Sequence, residues 1–113
     1  MKWKINYYHN QNNKSPVKEW LETVGHEPKA EIFKIFEMLS TYGVELGLPF
    51  VRPIENKLYE VRAKDKSGIY RVLYFAYKEK TFVMLHGFQK KTQTTPRKEI
   101  EVALKRMKEV QNG

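Results

Sequence analysis

The chain has 113 residues, no cysteine and a formal net charge of +8 from 21 basic and 13 acidic residues. That length suits one domain around a single core, so residues 1–113 are read as one unit, and 41% hydrophobic residues are enough to fill it. Lack of cysteine excludes a disulfide framework, a thiolate zinc site and a thiol nucleophile; with no signal-peptide stretch and no apolar run near the roughly 18 residues of a membrane span, a soluble cytoplasmic protein without a membrane partner is expected.

Residues 2–8 alternate Trp3, Ile5 and Tyr7 against Lys2, Lys4 and Asn6, the period of a half-buried strand. Ser15-Pro16 is a helix cap followed by proline, and Val17, Trp20, Leu21 and Val24 form the apolar stripe of a first helix ending at Gly25. A second helix starts at Pro28, turns Ile32, Phe33, Phe36 and Leu39 to the core and closes at Gly43. Gly47, Pro49 and Pro53 mark residues 43–56 as an irregular crossover. Strands over 57–64, 69–77 and 81–88 follow, joined by short turns into an antiparallel meander. Thr95-Pro96 then opens a C-terminal helix with Ile100, Ala103, Leu104 and Met107 on one face. The order β-α-α-β-β-β-α argues an α+β fold, an antiparallel twisted sheet with helices packed on one face.

Charge is concentrated. Residues 1–56 and 99–113 are each neutral, whereas residues 57–98 hold eleven basic against three acidic side chains and so carry the whole +8. Seven tyrosines and phenylalanines lie in the same segment, and basic surface laced with aromatic rings favours a single-stranded nucleic acid; the plainer reading is a surface kept soluble by lysines. In a meander the end of one strand lies beside the start of the next. One rim of the sheet should therefore gather Glu60, Arg62 and Lys64, then Arg71, then His86, Phe88, Lys90 and Lys91. Lys78 and Lys80 belong to the opposite turn.

Those residue types match the needs of a metal-free ribonuclease. RNA carries its own nucleophile, the 2′-OH, and the chain must supply a base, cations for the phosphorane and an acid for the leaving 5′ oxygen. Candidate bases are Glu60 and His86, or a lysine whose pKa is lowered by neighbouring cations. His9, His26 and His86 have no metal-ligand spacing, so neither metal nor other cofactor is called for. Each residue also has a plainer explanation. Glu60 next but one to Arg62 makes a same-face ion pair, His86 between Leu85 and Gly87 fits a core position, and Lys90 and Lys91 fit a solvated loop. Arg71 opens an otherwise apolar strand, where burying it unpaired is costly, which favours a role facing an anion.

The stretches Leu58-Tyr59-Glu60-Val61-Arg62, Gly68-Ile69-Tyr70-Arg71-Val72-Leu73-Tyr74-Phe75 and His86-Gly87-Phe88-Gln89-Lys90-Lys91-Thr92-Gln93-Thr94-Thr95-Pro96 resemble the phage-related HigB branch of the RelE/ParE toxin superfamily. The resemblance spans nearly the whole chain. It implies a RelE-like fold and the toxin of a type II toxin–antitoxin pair that cleaves mRNA on the ribosome and is silenced by a HigA-like helix-turn-helix antitoxin. It also implies that Arg71 faces the scissile phosphate, with Arg62, Lys90 and Lys91 as further catalytic cations, beside the proton-transfer candidates Glu60 and His86 read from the residues themselves. RNA would be held by Lys57, Lys64, Lys66 and Arg97, with Tyr70 and Phe88 as stacking rings, because the last helix has no aromatic residue of its own. ParE-like members share the fold and inhibit gyrase, so a gyrase inhibitor and a non-catalytic RNA-binding module stand as alternatives.

Overall fold

Ser15 begins the helical layer as the sequence predicts: its hydroxyl accepts from the Lys18 N–H at 3.3 Å, and Pro16 takes the first helical position of α1 (Pro16–Thr23). The computed structural model describes residues 2–113. α2 (His26–Tyr42) follows after two residues and begins two residues before Pro28. It buries Ile32, Ile35, Phe36 and Leu39, whereas Phe33, expected in the core, is 44% exposed and only edges onto Phe36. Gly43 caps the helix at φ +63°, and a Cβ there would collide with the Trp3 indole.

Five strands form one sheet: β1 (Lys4–Tyr7), β2 (Val51–Glu55), β3 (Leu58–Asp65), β4 (Gly68–Tyr77) and β5 (Thr81–Lys90), in spatial order β1-β5-β4-β3-β2. β3 through β5 form the expected antiparallel meander, β2 adds an unexpected antiparallel strand beside β3, and β1 joins β5 in parallel, so the sheet is mixed. β2 lies within the crossover that Pro53 makes read as irregular. An edge strand tolerates proline because the nitrogen that lacks a hydrogen can face away from the ladder, and the register shifts between Pro53 and Glu55. The observed order is thus β-α-α-β-β-β-β-α, closed by α3 (Arg97–Asn112).

The α+β class holds, but the helices do not share one face. α1 and α2 cover Val61, Ala63, Tyr70, Val72, Tyr74, Phe82 and Met84. α3 lays Ile100, Ala103 and Met107 on the opposite face, against Leu58, Leu73, Phe75, Val83, Leu85 and Phe88. The reason is visible in β4, whose residues 69–75 are all buried. A strand covered on both faces reads as a continuous apolar run rather than an alternation, and each large side chain so buried contributes roughly 1.5–3 kcal/mol. Trp20 lies over Gly87, where a Cβ would strike its ring. The α3 cap also differs from expectation. Helix geometry starts at Arg97, and the Thr95 hydroxyl donates to Glu60 instead of capping.

Candidate active site

Antiparallel register assembles the site. Arg62 of β3 stands opposite Arg71 of β4, Arg71 stands opposite Phe88 of β5, and Arg52 of β2 stands opposite Glu60 of β3. Residues directly opposite share a face, and so do residues two apart, so Arg52, Glu60, Arg62, Arg71 and Phe88 all project on the α3 side. The segment between β5 and α3 joins the cluster: the Thr92 and Gln93 carbonyls accept from Arg71, and the Thr95 hydroxyl donates to Glu60.

Glu60 is the hub and is fully buried. Its carboxylate faces Arg52 Nε at 2.9 Å, Arg71 Nε at 3.4 Å and Arg62 Nε at 3.6 Å, and it accepts from the Thr95 hydroxyl. Three guanidiniums around one carboxylate leave an excess of two positive charges. Accessibility is graded across them: the side chain of Arg52 is 30% exposed, that of Arg62 17% and that of Arg71 0%. Arg71 donates through Nη2 to the Thr92 and Gln93 carbonyls at 2.6 and 2.8 Å. Its Nε and Nη1, and Arg62 Nε, are buried without a hydrogen-bond partner among the described residues. Burial pulls the Arg71 guanidinium below its ordinary pKa; Glu60 opposes this, and Arg62 and Arg52 add to it.

His86 lies deeper along β5, opposite Leu73, beside a bulge that turns both Leu85 and His86 to α3. Its Nε2 is 2.7 Å from Glu99 Oε1, and its Nδ1 is 3.3 Å from Arg106 Nη1, which also donates to the Leu85 carbonyl at 2.9 Å. A guanidinium only donates, so Nδ1 must accept and Nε2 must carry the ring proton. Burial lowers the His86 pKa first, the Glu99 hydrogen bond opposes this, and the Arg106 charge lowers it further. The result is a neutral imidazole with both nitrogens engaged, stacked on Phe88 with ring centroids 5.4 Å apart.

Of the other residues singled out from sequence, Lys90 reaches Glu99 at 3.7 Å, and Lys90 and Lys91 are exposed at the end of β5. Lys64 and Lys66 are exposed at the same end of the sheet, beyond Arg62. Lys57 is not brought there. It sits in the β2–β3 turn at the far end of β3, about 16 Å from Arg62 at the rise of an extended strand. Arg97 is engaged by Glu55 at 2.6 and 3.1 Å and by Glu101 at 3.4 Å. Tyr70 and Phe88, offered as stacking rings, are 6% exposed each. Tyr70 lies on the α1/α2 face and shares a hydrogen bond with Ser67 at 2.7 Å. Neither ring presents a face to solvent. Among the described residues no three His, Asp or Glu side chains gather as a metal site.

Sequence reasoning missed Arg52, Gln93, Glu99 and Arg106. Arg52 lies in the electrically neutral half of the chain and in the strand disguised by Pro53. Glu99 and Arg106 are seven residues apart on α3, hence on one face beside the apolar stripe, a spacing that marks them as partners of a buried polar group.

The sheet with helices on both faces is similar to that of the E. coli toxin RelE, solved as a double arginine-to-alanine mutant in the free state; the match covers 95% of this chain and 99% of that one, at 17% identity and a TM-score of 0.56. The likeness is one of fold. The family model described as phage derived protein Gp49-like matches residues 19–108, and the chain belongs to that family. No curated protein matches it significantly.

Proposed function

We propose that the protein is the toxin of a type II toxin–antitoxin pair, of the HigB kind, and that it cuts mRNA on the ribosome by attack of the RNA 2′-OH on the adjacent phosphorus. The observation that carries this reading is the excess of cationic donors at the end of the sheet, three arginines around the carboxylate of Glu60 with Arg71 Nη1 buried and without a hydrogen-bond partner among the described residues. Preorganised guanidiniums stabilise the charge that develops on a phosphorane without reorganising during reaction. Arg62 and Arg71 face the scissile phosphate with Arg52 beside them, and Lys90, Lys91, Lys64 and Lys66 extend the field along the RNA. Glu60 and His86 take part in proton transfer once they are released from the contacts that now engage them. The site of action is the cytoplasm, and a HigA-like helix-turn-helix antitoxin silences the activity.

Mapping RNA ends from translating ribosomes mixed with the purified protein tests this. The expected products carry 2′,3′-cyclic or 3′-phosphate and 5′-OH ends. Intact message together with inhibited DNA supercoiling by gyrase would replace the nuclease by the gyrase-inhibitor reading.

A further inference from the structure

All three arginines of the site donate to one residue. Arg71 Nη2 reaches the Gln93 carbonyl at 2.8 Å, Arg52 Nη2 reaches the same oxygen at 3.5 Å, and Arg62 Nη2 reaches the Gln93 side-chain oxygen at 3.4 Å. These donors come from three different strands and converge on two oxygens of a neutral group. The match is incomplete, since buried Arg71 Nη1 and Nε find no hydrogen-bond partner among the described residues. Gln93 is itself exposed, as are residues 91–94 around it. Among the described residues no backbone–backbone hydrogen bond ties 91–95 to the rest of the chain. Besides the arginines, the segment is held by an internal bond from the Thr92 hydroxyl to the Thr94 carbonyl and by Thr95 on Glu60.

We propose that residues 91–94 are a built-in plug of the arginine site, in which the two Gln93 oxygens occupy the place of the non-bridging oxygens of a phosphodiester, and that an RNA backbone binds by displacing them. This inference rests on the reading of the arginine site as a phosphodiester site. A phosphodiester brings a full negative charge where the plug brings only carbonyl dipoles, and hydrogen bonds to an ionised acceptor are about twice as strong as neutral ones. It also brings acceptors for the donors that Gln93 leaves unpartnered. The plug thus lowers apparent affinity for free RNA by the fraction of time it is closed. A substrate presented at high local concentration, as on a ribosome, overcomes that fraction more readily than a free strand.

The absence of cysteine allows Thr94→Cys to carry a single spin label in the full-length protein. The probe is a 2′-O-methyl RNA hexanucleotide, which has the phosphodiester but lacks the nucleophile. Binding should convert the label to a more mobile spectrum. Replacing both Thr92 and Gln93 by glycine loosens the closed plug and should tighten hexanucleotide binding by about five-fold or more. Equal affinity in both proteins with an unchanged label, or no binding by either, overturns the proposal. Displacement of the label without message cleavage on ribosomes removes the nuclease reading and leaves the plug. Cleavage of message with a label that stays immobile removes the plug and leaves the nuclease.

Discussion

Arg62 and Arg71 stand directly opposite one another on adjacent antiparallel strands, and Glu60, two residues from Arg62, reaches both. Like charges placed across a strand pair repel, so the arrangement persists only because one carboxylate lies between them and Arg52. Removing that charge while keeping its shape, as in Glu60→Gln, leaves three guanidiniums uncompensated in a buried setting. The expected loss of stability is about 3–5 kcal/mol, read as a lower urea midpoint at unchanged slope. A midpoint equal to wild type would mean that solvent already screens the cluster.

The graded exposure of the arginines separates chemistry from folding. Arg62, whose side chain keeps 17% exposure, should lose more than ten-fold in single-turnover cleavage when changed to Gln, which corresponds to about 1.4 kcal/mol or more of barrier, with little change in melting temperature. Arg71→Ala strips donors from the Thr92 and Gln93 carbonyls and an ion-pair partner from Glu60, so it should lower both cleavage and melting temperature. If Arg62→Gln cuts at the wild-type rate, Arg62 does not face the phosphate.

Much of this arrangement is legible in the sequence because β-sheet geometry is periodic. Three strands with short turns fix which ends meet, which is why Arg62, Arg71, Phe88 and Lys90 are expected at one rim and are found there. Side-chain alternation does not say which face a later helix covers, so the sequence alone groups α3 with the other two helices. Pro53 hides β2, and with β2 goes Arg52. The engagement of Glu60 by four partners and of His86 by two depends mostly on residues 8 to 35 positions apart, which no local pattern encodes.

His86 gives the fold a signature in pH. Its pKa in the folded protein lies below the ordinary value of 6.5, so between those two values the unfolded chain binds the extra proton and the folded chain does not. Stability attributable to His86 is therefore complete above 6.5 and is lost as pH falls toward the folded value. Denaturation midpoints from a slightly alkaline pH down should begin to fall near 6.5, and His86→Gln should abolish that limb. The Asp65 carboxyl is held low by the Ser67 hydroxyl and acts only below its ordinary 3.8, so the two limbs are separable.

Transesterification by the substrate's own hydroxyl makes a prediction about the RNA. A single 2′-deoxy nucleotide at the scissile position should abolish cutting there while leaving binding intact, since every phosphate interaction remains. Cleavage at the normal rate would require water as the nucleophile and a different mechanism.

The last prediction concerns where the RNA lies. Each phosphate neutralised by a lysine or arginine releases counterions, so on a single strand the slope of log affinity against log salt becomes shallower by about 0.7 for every phosphate that a substitution leaves unneutralised. Lys57 belongs to the basic segment by sequence but sits at the far end of β3, about 16 Å from Arg62 along an extended strand. Lys57→Gln should leave the slope for a 2′-O-methyl RNA hexanucleotide unchanged. Arg52→Gln should reduce it by about 0.7, although Arg52 comes from the neutral half of the chain. Lys91→Gln, at the exposed position just past β5, should do the same. Equal reductions for Lys57 and Arg52 would show that the RNA follows the general field of the basic segment and not the arginine cluster, and would move the binding surface away from Glu60.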